Sequence, residues 1–171
     1  MKRHDFLRLG LLLPIVPLLD ARCAPPAAAA AVTGAMFVDK AGNAGMFEIE
    51  SSKLVLAASP SPPVKSFAEK MITDHTIAAE ELKSVASGKY KLPSGLDAKH
   101  QAMLDELKAA GERGERTYVE MQVKAHEEAV ALFGGYGKQG DDVALQAFAI
   151  KTLPTLEMHS DMIKKISAGM S

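Results

Sequence analysis

The chain has 171 residues, enough for one domain with a real core and no more than one is required. Its 20 basic and 21 acidic residues balance, which removes the electrostatic case for a nucleic-acid partner. Aromatics are 5% of the chain and tryptophan is absent, while Ala, Leu, Glu and Lys abound, so the composition is that of a helix bundle.

Residues 1–23 read as an export signal peptide. Lys2, Arg3 and Arg8 precede the apolar run LGLLLPIVPLL, and DARCAPP with five alanines follows. Pro14 and Pro17 interrupt the run, which is about half the ~20 residues of a spanning helix, so it argues against a permanent membrane anchor. KRHDFLR resembles the twin-arginine motif with His4 in place of the second arginine, which favours ordinary secretion. Asp20 and Arg22 stand where a lipoprotein signal wants an aliphatic and a small residue, which argues against lipid attachment through Cys23. The expected location is periplasmic or outer-membrane-associated. No cysteine follows Cys23, so the mature domain has no disulfide.

Residues 24–34 form an Ala/Pro linker, and the bundle domain is expected over 35–171. Helical periodicity runs from Ala35 to about Ala58. SPSPPVK stops that helix and starts the next, since Pro62 or Pro63 fits a first helical turn and cannot sit deeper. The second helix runs to about Ser87. GKYKLPSG is a loop, with Ser94 as cap for a short helix over 96–110. Gly111 and Gly114 interrupt it, and periodicity resumes from Glu115 to about Phe133. GGYGKQG is expected to end that helix, and Asp141 or Asp142 to cap the last one, which runs to about Ala168. No strand alternation and no repeat is present.

Each long helix carries an apolar seam at the 4-3 spacing of bundle packing. The first places Phe37, Ala41, Ala44, Glu48, Ser51, Val55 and Ala58 in line. The second aligns Val64, Ala68, Met71, His75, Ala78, Leu82 and Val85. The third aligns Val119, Val123, His126, Val130 and Phe133, and the fourth Leu145, Ala149, Thr152, Leu156, His159, Ile163 and Ile166. Every seam therefore holds one ionisable residue: Glu48, His75, His126 and His159. Antiparallel pairing puts Glu48 and His75 within about 3 Å of one level, whereas a turn at the glycines leaves His126 and His159 about 10 Å apart along the axis.

The pattern FEIESSKLVLAAS, VKSFAEKMITDH, KLP, YVEMQVKAHEEAV and LQAFAIKTLPTLEMH resembles the bacterial domain of unknown function 4142 over Ala35 to Ile166. Its most specific pieces are Asp74-His75, Gln122 to His126, and Leu153-Pro154 to His159. The chain departs from the family at Ala79, where asparagine is common, and at Gly114-Glu115, where a Phe-Asp pair is usual. The resemblance implies an all-α, ferritin-like four-helix bundle with an export signal. An extra short crossover helix over 96–110 would carry the chain from one end of the bundle to the other.

Two functional readings follow. In the first, favoured by the residues, the seam carboxylate and histidines pair with each other, with Tyr118 or with Gln122, making the protein a binding or structural module of the cell envelope. In the second, Glu48, His75, His126 and His159 hold a mononuclear transition-metal ion, Fe, Zn or Cu, in a metal-handling or redox protein. Met46, Met71, Met158 and Met162 would add thioethers to a copper variant, although methionines at helical spacing are ordinary core filler. The Glu-x-x-His motif of di-iron bundles is absent, since Ile72, Val123 and Leu156 stand three before the histidines.

No phosphate loop or nucleophile triad is present, and the reading leans against an enzyme. His100, among Lys99 and Gln101, is expected in solvent. Pro154 removes one hydrogen bond within the last helix and is expected to curve it around its neighbours. The alanine-lined first helix is compatible with a homodimer, and nothing names an envelope partner.

Overall fold

A computed structural model describes residues 31–59 and 61–170. The signal peptide, Cys23 and most of the linker lie outside them. Five α-helices and one 3-10 turn follow in order, with no strand among the described residues: α1 (Gly34–Ala58), α2 (Pro62–Ala86), α3 (Ala98–Ala109) and, after the turn Gly111–Arg113, α4 (Gly114–Gln139) and α5 (Val143–Gly169). No helix among them is long and apolar enough to cross a membrane.

The helix starts follow capping chemistry. Thr33 accepts from the Met36 amide, and Pro62 opens α2 where its missing N–H costs nothing. Asp142 accepts from the amides of both Ala144 and Leu145. The α3 cap is Asp97, which accepts from the His100 amide at 2.8 Å, not Ser94. The Asp97 amide in turn donates to Asn43 Oδ1 at 2.7 Å, which pins the start of α3 to the flank of α1. Glycine at Gly111 takes a φ of 55°, letting the chain leave α3 and turn back into α4.

Short turns make α1 and α2 one antiparallel pair and α4 and α5 another. The 3-10 turn and α3 form the crossover between them, packed on α1 and α4. The ends are identified by their contacts. At one end Phe37 stacks on Tyr136 at 4.2 Å, and Lys89 meets Asp142 at 3.0 Å. At the other, Ser59 hydrogen-bonds Glu115, and Arg116 reaches the Met170 carbonyl at 2.6 Å. The chain thus runs up, down, across through α3, down and up: a four-helix bundle with a short crossover helix, as expected.

The largest departure from expectation is α4, which continues through the glycines to Gln139. Packing overrides the low helix propensity there. A Cβ on Gly137 would lie 3.0 Å from Ile150 Cγ1, so glycine lets α4 and α5 approach closely, while Tyr136 is buried in the core. The turn is therefore only Gly140 to Asp142. Two apolar clusters fill the bundle, one around Phe37, Phe133, Tyr136 and Phe148, the other around Phe67, Met71, Tyr118 and Ile163.

Candidate metal centre

Between those two clusters lies a polar layer to which all four long helices contribute. Glu48 comes from α1, His75 from α2, His126 from α4 and His159 from α5, and each is buried, with His126 and His159 at 0% exposure. The seam positions thus point inward as the 4-3 spacing requires. The expected 10 Å offset between His126 and His159 is absent: their ring centroids lie 5.6 Å apart. The longer α4 moves the turn toward α5, which brings the two histidines to nearly equal distances from it. His75 lies 5.8 Å from His126 and 5.4 Å from His159, so the three rings form a compact triangle.

One ring nitrogen of each histidine lies within 4.8 Å of the others. The nitrogens without a protein hydrogen-bond partner are His75 Nε2, His126 Nε2 and His159 Nδ1. Each opposite nitrogen is held. His126 Nδ1 donates to the Gln122 carbonyl at 2.9 Å, His159 Nε2 donates to Asp74 Oδ2 at 2.8 Å, and His75 Nδ1 lies 3.1 Å from Glu48 Oε2. A backbone carbonyl and an ionised carboxylate only accept, so the first two contacts settle the tautomers and leave a lone pair on the free nitrogen. Glu48 does the same for His75 only once it ionises; while its carboxyl is protonated it donates to His75 Nδ1 and the ring proton sits on Nε2.

Glu48 is set differently from the histidines. Its Oε2 meets His75 Nδ1 and its Oε1 lies 3.8 Å from His126 Nδ1, so it faces the nitrogens that already have partners. Asp74, which lies outside the seam positions, also takes part in the layer. Its carboxylate takes the Lys70 ammonium at 3.1 Å as well as His159. Successive helical residues point about 100° apart, so Asp74 reaches the α5 side while His75 points into the bundle. The Asp-His dipeptide was the available signal.

Burial governs the charge states. It pushes the Glu48 carboxyl up to about 8 and lowers His75 well below its ordinary value. It brings His126 down to about 4 against the pull of its hydrogen bond to Gln122. Burial lowers His159 as well, with Asp74 opposing. For Asp74 burial pushes up, but the hydrogen bonds from His159 and Lys70 outweigh it and hold the carboxyl below its usual value. At neutral pH the layer therefore presents neutral imidazoles, the form that binds metal.

A second polar tier lies beside the histidines. Gln122 Nε2 donates to Ser51 Oγ at 2.9 Å, and Tyr118 shares a 2.8 Å hydrogen bond with Ser52. Tyr118 and Gln122 thus pair with serines of α1 and not with the seam carboxylate. His100 lies outside this layer. Its ring packs 5.6 Å from Phe47 and bonds Asp97, so it is partly buried and not in open solvent.

Fold and layer together define a helical-bundle protein with a buried three-histidine cluster. The chain belongs to the DUF4142 family, a domain of unknown function whose model matches residues 21–166. Among curated proteins nothing matches it. Its fold is similar to that of CopM, solved in the Cu(II)-bound form, with a TM-score of 0.70 and 17% identity over 83% of this chain and 100% of that one.

Proposed function

We propose that the protein binds one transition-metal ion through His75 Nε2, His126 Nε2 and His159 Nδ1, as an exported metal-handling module of ferritin-like type. The observation that carries this is a set of three buried imidazoles, from three helices, each offering a ring nitrogen within 4.8 Å of the others and each keeping one nitrogen without a protein partner. Two lone pairs, on His126 and His159, and a third on His75 once Glu48 gives up its proton, call for an electrophile. A purely structural network would be expected to satisfy its members, and a half-satisfied buried network is worse than an apolar core.

The donor set fits the ion. Imidazole suits zinc, copper and iron, and three protein ligands leave a position open for water or a fourth ligand. On a four-coordinate ion with bonds of about 2.0–2.1 Å the nitrogens stand about 3.3 Å apart, so the rings have only a short distance to close. Asp74, the Gln122 carbonyl and Glu48 would orient the three rings, and such partners also raise ligand basicity. The ion would supply Lewis acidity or, for copper and iron, a one-electron couple. Copper is placed first because it heads the divalent affinity order and because a bundle of this fold is described in a Cu(II)-bound form. Export is supported by the charged and apolar pattern of residues 1–23.

Elemental analysis tests the reading on protein purified without an affinity tag and incubated with copper, zinc or iron. The expected result is one ion per chain, nitrogen hyperfine structure in the Cu(II) electron paramagnetic spectrum, and loss of both in His126→Leu. Wild-type protein that retains no ion under any of the three conditions overturns it.

A further inference from the structure

The three histidines are not equally enclosed. His126 and His159 are fully buried, whereas His75 keeps 5% exposure. A cleft of about 350 Å³ between α2 and α5 reaches both His75 and His159. Ala78 on α2 and Thr152 and Thr155 on α5 are the small side chains of its lining. A hydrogen bond from His159 to Asp74 at 2.8 Å and an ion pair from Lys151 to Glu81 at 2.8 Å link the two helices across it. On the opposite flank, where α3 packs on α1 and α4, a groove of about 580 Å³ is lined by none of the three histidines.

Resting on the reading above, we propose that the α2–α5 cleft is the port through which the metal ion enters and leaves. Asp74, whose side chain is 23% exposed at the mouth, is the anionic contact nearest the histidines, which an arriving cation reaches by displacing the Lys70 ammonium now 3.1 Å from it. Its carboxylate already holds His159, so the ion passes from an oxygen ligand to an adjacent imidazole without crossing apolar core. His75 is the exposed edge of the cluster and the next nitrogen in reach. Thr152 and Thr155 give the passage hydroxyl groups that can replace water around a partly dehydrated ion.

The test is the rate of Cu(II) uptake by the full chain, followed by stopped-flow absorbance, against copper bound at equilibrium. Ala78→Leu narrows the passage while keeping all three histidines in the chain. It is expected to slow uptake and chelator-driven release by about tenfold or more while leaving one ion per chain at equilibrium. Ala125→Leu, an identical substitution in the groove between α1, α3 and α4, is expected to load at the wild-type rate. As a variant whose fold forms before the passage is blocked, Ala78→Cys with Cys23→Ser can be loaded before and after labelling with a bulky thiol reagent, and slow loading only after labelling supports the port. Wild-type rates in Ala78→Leu and in the labelled protein, or slowing by Ala125→Leu instead, overturn it. Absence of copper from wild type is a different result, one that removes the metal reading itself.

Discussion

The bundle has two kinds of buried interior. Around Phe37 the core is aromatic and closed: Phe37 stacks on Tyr136, meets Phe133 edge-on at 5.0 Å, and faces Phe148 at 6.3 Å. Further along the same helices the interior is as well buried but polar, and Glu48 Oε1, Gln122 Oε1 and three histidine nitrogens have no protein partner. In the first region every group is matched by contact, which contributes to stability without directional demands. In the second, burial opposes stability, because an unpartnered buried polar group costs about 1–3 kcal/mol. The contrast separates the part of the core that holds the bundle together from the part that, on the proposed reading, is kept for binding.

Substitutions at the two regions should therefore have opposite signs. Phe37→Ala is expected to destabilise the protein by about 3–5 kcal/mol, read by urea denaturation, with metal per folded chain unchanged. Acid should act on the histidine layer first, and at lower pH on the carboxyls held under their usual value, Asp74, Asp97 and Asp142. Folded-state values below the ordinary value mean that His75, His126 and His159 bind protons more readily when unfolded. Their stabilising contribution is then full above pH 6.5 and is lost as pH falls from 6.5 toward about 4, the folded value of His126. For His126 alone the loss is about 3 kcal/mol. Glu48, held up at about 8, works in the other direction and costs stability as pH rises from 4.5 through 8. Metal-free protein should accordingly show a stability maximum between these limbs in denaturant titrations at stepped pH, and His126→Leu should flatten the acid limb.

At neutral pH, His126→Leu should leave the metal-free protein as stable as wild type or more so, by up to about 1–3 kcal/mol, because it removes an orphaned nitrogen from a dry site. The Gln122 carbonyl still accepts from its own helix, so no new unpaired group appears. A clear loss of stability in this variant would return the layer to the structural role that the seam residues first suggested. Asp74→Ala is the finest probe. It leaves the ligand nitrogens in place and frees the His159 ring, and it should weaken metal affinity by about 10–100-fold in competition with a chelator of known affinity.

Much of this division was legible in the residues. The seams identified the inward faces of all four long helices, and every position they assigned to Glu48, His75, His126 and His159 is buried. What could not be read was height. Gly134, Gly135 and Gly137 signal a turn by local propensity, yet close packing of Gly137 on Ile150 keeps them helical. That one tertiary contact moves the turn and brings His126 level with His159. The role of Asp74 was hidden for a related reason. A seam lists residues one face at a time, whereas the bond to His159 spans 85 positions between two faces. Ser94 was passed over as a cap because Asp97 also had Asn43 to bind.

The histidines divide unevenly between the two helical pairs, with His75 in the first and His126 and His159 in the second. Each pair can form from contacts local in sequence, but neither contains the cluster. The site comes into being only when the pairs dock, after the chain has closed the long crossover that includes α3. Docking is thus the slow, non-local step of assembly, and the ion cannot template it early. A bound ion would instead lock docking once complete, so amide hydrogen exchange across the α2–α5 seam would record how often the halves part.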